Sequence, residues 1–141
     1  TSRPGMIASS NVLPPRYDPM TQQTLLACVL DRIDTANRAD PNIEQVGGIP
    51  LPKEYAYSQH MTRWLFELEP QPSERMQIAC RAQHIERWTI PRSDFPEGRK
   101  AYYEWRQACG RMHGRRAAGI MEECGYPQEE CQKVETILTF I

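Results

Sequence analysis

The chain has 141 residues, 40% of them apolar and 25% charged, with a net charge of −1. That length buries a hydrophobic core without staples, and the near-zero charge excludes bulk attraction to nucleic acid, so a nucleic-acid partner is not expected. No window supplies eighteen apolar residues, which excludes a helical membrane span.

Four prolines (Pro4, Pro14, Pro15, Pro19) and small polar residues mark residues 1–20 as an irregular extension. The first residues lack the apolar core of a secretory signal. With no initiating Met, a removed leader stays open. Thr21 is positioned to cap a first helix with the stripe Leu25, Leu26, Val29, Leu30 and Ile33. Asp40-Pro41, Gly47-Gly48, Pro50 and Pro52 then predict a long loop rather than strands. Pro52 favours a second helix from Lys53, which Pro70 and Pro72 stop near Leu68. Its stripe of Tyr57, His60, Met61, Trp64, Leu65 and Leu68 reads mostly as core.

Ser73 caps a third helix predicted over residues 75–88. At helical spacing Arg81, His84, Ile85 and Trp88 share one side. A guanidinium, an imidazole and an indole on such a stripe fit a functional cleft or a satisfied structural network, since buried unpaired charge is costly. Residues 89–98 read as a crossing. A long helix follows from about Arg99 to Glu123 with a second polar stripe, Tyr102, Arg106, Cys109 and His113, while Gly110 and Gly114 mark a close helix crossing or a kink. Gly125 suits a helix cap, and a last helix from about Pro127 buries Cys131, Val134, Ile137 and Leu138. Ile141 follows no turn residue, so the chain reads as truncated there. The expected architecture is all-α: one domain over residues 21–141, a mainly antiparallel bundle of about five helices.

Residues 99–116 carry six basic side chains against Glu104, and residues 117–141 carry five acids against Lys133. Such opposed patches steer an anionic ligand or pair with neighbouring acidic helices. Five cysteines leave one unpaired under any disulfide scheme and form no short ligand motif, which points to reduced thiols in an intracellular compartment, the cytoplasm or the mitochondrial matrix. The three histidines, His60, His84 and His113, lie on three predicted helices at separations that fit no local zinc motif. A shared site needs those helices to converge. Glu86 and Asp94 are nearby carboxylates. Among the arginines, Arg81 and Arg106 are the inward candidates for a phosphate, because each accompanies a stripe containing a histidine.

The runs Tyr57-Ser58-Gln59-His60-Met61 and Arg81-Ala82-Gln83-His84-Ile85-Glu86-Arg87-Trp88-Thr89-Ile90-Pro91-Arg92, with Tyr102-Tyr103-Glu104-Trp105-Arg106, His113 and Gly125-Tyr126, resemble the domain-of-unknown-function 4202 family from near Leu25 onward. That family is similar to helical metal-dependent phosphohydrolases with a histidine-aspartate signature. The resemblance implies a truncated version of that hydrolase fold, with His60 and His84 facing a divalent metal and His113 facing the substrate or supporting a ligand. Ile85, where the hydrolases have Asp after the histidine, departs from the pattern. Members usually continue into another helix after the position of Ile141.

Two functions follow as expectations. In one, the chain is a metal-dependent hydrolase of a small phosphorylated compound or nucleotide, with His84, Arg81, Arg106 and His113 at the reacting centre and His60 and His84 on the ion. In the other it is a noncatalytic helical subunit that docks a protein partner through residues 1–20 or the C-terminal helix.

Overall fold

A computed structural model describes the backbone from Pro19 to Ile141 and the side chains from Thr24 onward. The expected Pro-rich extension therefore lies almost wholly outside the described residues. Five α-helices form a mainly helical bundle: α1 (Pro19–Arg38), α2 (Lys53–Leu68), α3 (Glu74–Arg81), α4 (Arg99–Cys124) and α5 (Gln128–Thr139). Among the described residues no helix is long and apolar enough to cross a membrane. Because α1 begins at Pro19, Thr21 lies inside its first turn instead of capping it.

The core is made where α1, α3, α4 and α5 meet. Val29 and Ile33 come from α1, Ile78 and Ala79 from α3, Ala117, Ile120 and Met121 from α4, and Cys131, Val134 and Leu138 from α5, all buried. Of the stripes read from the sequence, Val29 and Ile33 of α1 and Cys131, Val134 and Leu138 of α5 are buried, Leu26, Leu30 and Ile137 pack partly buried against them, and Leu25 is half-buried outside this cluster. In α3, Ser73 Oγ accepts from the Met76 amide, so this helix starts where its capping residue directs.

The closest packing is between α4 and α5. A methyl group added at Gly114 would stand 2.7 Å from the Glu135 carbonyl oxygen, and one at Gly110 would stand 3.1 Å from the carbonyls of Leu138 and Thr139. Only hydrogen at these two positions lets the backbones approach so near. They mark a close crossing, and the end of α5 is brought against the middle of α4.

Four expectations need correction. The segment between α1 and α2 is not a plain loop: Ile43–Val46 (β1) and Ile49–Pro52 (β2) pair antiparallel, with Ile43 opposite Pro52 and Val46 opposite Ile49. The two intervening glycines both have positive φ, +57° and +82°, the geometry that a two-residue hairpin turn matched to strand twist demands. The third helix ends at Arg81, not at 88; the chain passes through turns, with Glu86 in the left-handed region at φ 54°, into a single 3-10 turn, Arg87–Thr89. The α2 stripe is not core, since Trp64 is 49% and Leu68 80% exposed, while Glu54 and Ser58 are the residues it buries. Finally, Cys28 and Cys124 are joined in a disulfide that ties α1 to the end of α4, so the expectation of reduced thiols does not hold for that pair; Cys80, Cys109 and Cys131 are free.

Gly114→Ala is expected to lower stability by about 1–3 kcal/mol through overpacking. Gly119→Ala, where an added methyl meets nothing within 4 Å, is expected to raise it by up to about 1 kcal/mol; paired urea melts of the two variants check both signs. The disulfide encloses a loop with a sequence separation of 96. Its reduction, or a Cys28→Ser change, is expected to cost a few kcal/mol, on the order of 2–4, read as a lowered thermal midpoint.

Candidate functional site

The site begins with the entry to α2. Asp40, buried at the end of α1, accepts from the Asn42 amide and Asn42 Nδ2 through Oδ1, and from the Glu54 amide through Oδ2 at 2.8 Å. The carboxylate satisfies an orphan amide of the first helical turn and fixes the helix start. This sets Glu54, the second residue of α2, whose own carboxylate is 6% exposed. An acid at that position is favoured by the positive end of the helix dipole, which helps offset the cost of its burial.

Glu54 Oε1 lies 3.2 Å from His84 Nδ1. The imidazole of His84 is stacked flat on Tyr57, one turn further along α2, with ring centroids 4.0 Å apart and planes 7° from parallel. A ring held by a carboxylate on one nitrogen and an aromatic face has its tautomer and orientation set: Nδ1 carries the proton, and Nε2 presents a lone pair. The left-handed backbone at Glu86 then reverses the chain so that Arg87 returns over His84, with Nη1 3.4 Å from both ring nitrogens. This separation is long for a hydrogen bond, so the guanidinium faces the ring without being tied to it. Its other support is the face of Trp105, 4.8 Å away. The strained Glu86 is secured by Asn37 Oδ1, which accepts its amide, and by Arg116, whose Nε donates to its carboxylate at 2.9 Å. Strain of this kind persists only where surrounding contacts enforce it.

His113, from the middle of α4, is buried and donates from Nδ1 to the Ile85 carbonyl at 2.8 Å. Its ring centroid is 6.2 Å from that of His84. Burial pushes its pKa down from 6.5 to about 4, against a smaller upward effect of the carbonyl. His113 is therefore neutral at neutral pH, with Nδ1 protonated and Nε2 an acceptor. The two imidazoles, Arg87, Arg106, Gln83 and Trp105 line a recess of about 100 Å³, with Leu138 and Ile141 also in its lining. Such a volume holds several waters or one phosphoryl group. Among the described residues neither Arg87 nor Arg106 is ion-paired.

The structure thus brings His84, His113 and Arg106 together and leaves two other candidates apart. Arg81 donates to both carboxylate oxygens of Asp34, at 2.9 and 2.7 Å, and from Nε to Thr62, so its charge is consumed in tying α3 to α1 and α2. His60 is exposed; its Nε2 accepts from Trp64 Nε1 at 2.9 Å and its Nδ1 faces Arg63. It lines a neighbouring cavity with His84 but not the recess. Two residues that matter were not singled out from the sequence. In sequence, Glu54 is one acid in a first helical turn, and Arg87 stands outside the stripe of Arg81, His84, Ile85 and Trp88. The only signal for Arg87 was its place in the contiguous run His84-Ile85-Glu86-Arg87, and Glu54 had none.

For a metal, His84 and His113 have part of the arrangement that ligating imidazoles show, Nδ1 on a carboxylate or carbonyl, but Arg87 Nη1 stands 3.4 Å from His84 Nε2. No group of three or more His, Cys, Asp or Glu able to hold an ion occurs among the described residues, and the Arg87 guanidinium beside His84 opposes a second cation. The residues present do not complete a ligand set.

What the fold and site define is a helical-bundle protein with a cationic recess between two anchored imidazoles. The chain belongs to the family described as Domain of unknown function (DUF4202), whose model matches residues 27–139. No curated protein and no solved structure matches it.

Because the folded state keeps His113 neutral while an unfolded chain protonates it near 6.5, the unfolded state binds the extra proton between these limits. Its contribution to stability is fully present above about pH 6.5 and is expected to fall as pH drops toward about 4. Denaturation midpoints across that range should slope downward with acid. They should flatten in His113→Asn, whose amide keeps the bond to Ile85 and does not titrate.

Proposed function

We propose that the recess binds the phosphoryl group of a compact phosphorylated compound and promotes its hydrolysis. The observation that carries this reading is the convergence of two guanidiniums without ion pairs among the described residues with two imidazoles whose Nδ1 atoms are held by a carboxylate and a carbonyl. Arg87 and Arg106 offer charge-assisted donors to phosphate oxygens. His84, oriented by Glu54 and Tyr57, takes the proton of an attacking water through Nε2 as the new oxygen–phosphorus bond forms. The bond to the leaving oxygen breaks, and that oxygen receives the proton back. Neutral His113 accepts a hydrogen bond from the water or from a ligand hydroxyl, and the arginines offset charge on the equatorial oxygens. The kinship with histidine-aspartate phosphohydrolases belongs to this reading, with His84 and His113 rather than His60 and His84 as the pair at the centre.

Phosphate release from a panel of nucleotides and sugar phosphates, with and without added divalent ions, tests the proposal. Arg87→Ala and Arg106→Ala are each expected to weaken binding about tenfold or more. Glu54→Gln is expected to slow turnover more than it weakens binding, because it disorients His84. A folded protein that neither binds nor cleaves any member of the panel would overturn the assignment.

Exposed apolar side chains favour a second reading, a helical subunit that docks a protein. Trp64 and Leu68 are one turn apart on α2, and Phe140 and Ile141 are largely exposed beside α5. This reading predicts concentration-dependent association in sedimentation, weakened by Trp64→Ser and Leu68→Ser together.

A further inference from the structure

The recess has a larger neighbour. Between the hairpin and α2 lies a cavity of about 430 Å³, and two of the residues that line it, His84 and Arg87, also line the recess. The two spaces thus share one wall. A phosphoryl group held by Arg87 would have its substituent directed out past Arg106 or round Arg87 into this cavity.

The chemistry of the second space differs from that of the first. Val46 and Leu51 of the hairpin and Ala56 and Tyr57 of α2 line it, together with the cations Lys53 and Arg63 and the acids Glu44 and Glu54. Tyr57 supplies an aromatic wall whose plane is fixed by its stack on His84. The hairpin is anchored at its base, where the Lys53 amide donates to the Asn42 carbonyl at 2.8 Å. Its apolar side chains are nevertheless left to solvent, with Val46 40% and Ile49 61% exposed. Branched aliphatics and an aromatic side chain lining one cavity suit an apolar ring.

We propose that this hairpin cavity is a specificity subsite that holds an aromatic or heterocyclic body carried by the phosphorylated ligand. The inference rests on the phosphate reading of the recess and adds the class of compound that the site prefers: an aryl-type phosphate over an aliphatic or inorganic one. Arg87 faces the junction, so it binds the phosphate while the hairpin and Tyr57 select what is attached to it.

Calorimetric titration of the whole chain with inorganic phosphate, glycerol phosphate and phenyl phosphate separates the two ideas. Phenyl phosphate is expected to bind roughly tenfold more tightly than glycerol phosphate, the size of effect that burying one ring face produces. Val46→Asp puts a charge on an exposed hairpin position that tolerates it, and Tyr57→Leu removes the aromatic wall; each is expected to bring the ratio of the two affinities close to one. Equal binding of the two organic phosphates, or a ratio unchanged in a variant shown by circular dichroism to be folded, overturns the subsite and leaves the phosphate recess standing. Failure of all three compounds to bind overturns the recess and the subsite together.

Discussion

A carboxylate that is almost fully buried at the start of a helix has few ways to stay there, and Glu54 uses two of them. The first turn of α2 turns its positive end toward the acid, and His84 supplies a proton donor on the far side. Both depend on where α2 begins, which Asp40 sets by accepting the Glu54 amide. The chain from the end of α1, through the hairpin, to the imidazole is therefore one connected arrangement. If α2 started one residue later, the acid would point elsewhere and the ring would lose its fixed tautomer.

Punctuation by proline and glycine made much of the fold readable in advance. Pro52 and Pro70 bracket α2, Gly125 ends α4, and Ser73 opens α3, each a local sequence signal, to which Asp40 adds a tertiary contact at the start of α2. The hairpin was hidden because its strands are four residues long and two of the eight strand residues are proline, which argues against a strand. Gly47-Gly48 was the one sign of it. The early end of α3 was equally hidden. No breaker separates Arg81 from Trp88, and the left-handed Glu86 is imposed by Asn37 and Arg116 from other helices. Likewise, the α2 stripe misled because this helix turns a polar side inward, where Gln59 and Arg81 converge on Asp34.

The candidate site was legible in part for a related reason. Helical spacing puts His113 and Arg106 on α4 a turn or two apart, so their approach to one space follows from periodicity. What periodicity cannot give is which arginine stays free. Arg81 and Arg116 are drawn off by Asp34 and Glu86, and Arg75 by Glu130, ion pairs that join separate parts of the bundle. Of the arginines that line the recess, Arg87 and Arg106 have no ion pair among the described residues. The five acids that follow α4's basic run divide the same way, with Glu123 on Arg32 and Glu130 on Arg75.

The position of Arg87 has a consequence for how such a protein diversifies. A side chain that serves as a common partition cannot be exchanged to suit one chamber without disturbing the other. Under the proposed phosphate reading, variation in the ligand is therefore pushed outward to the short ribbon between Asn42 and Lys53. There, solvent-facing positions change at little cost to the bundle, and new preferences can arise while the charged centre stays as it is.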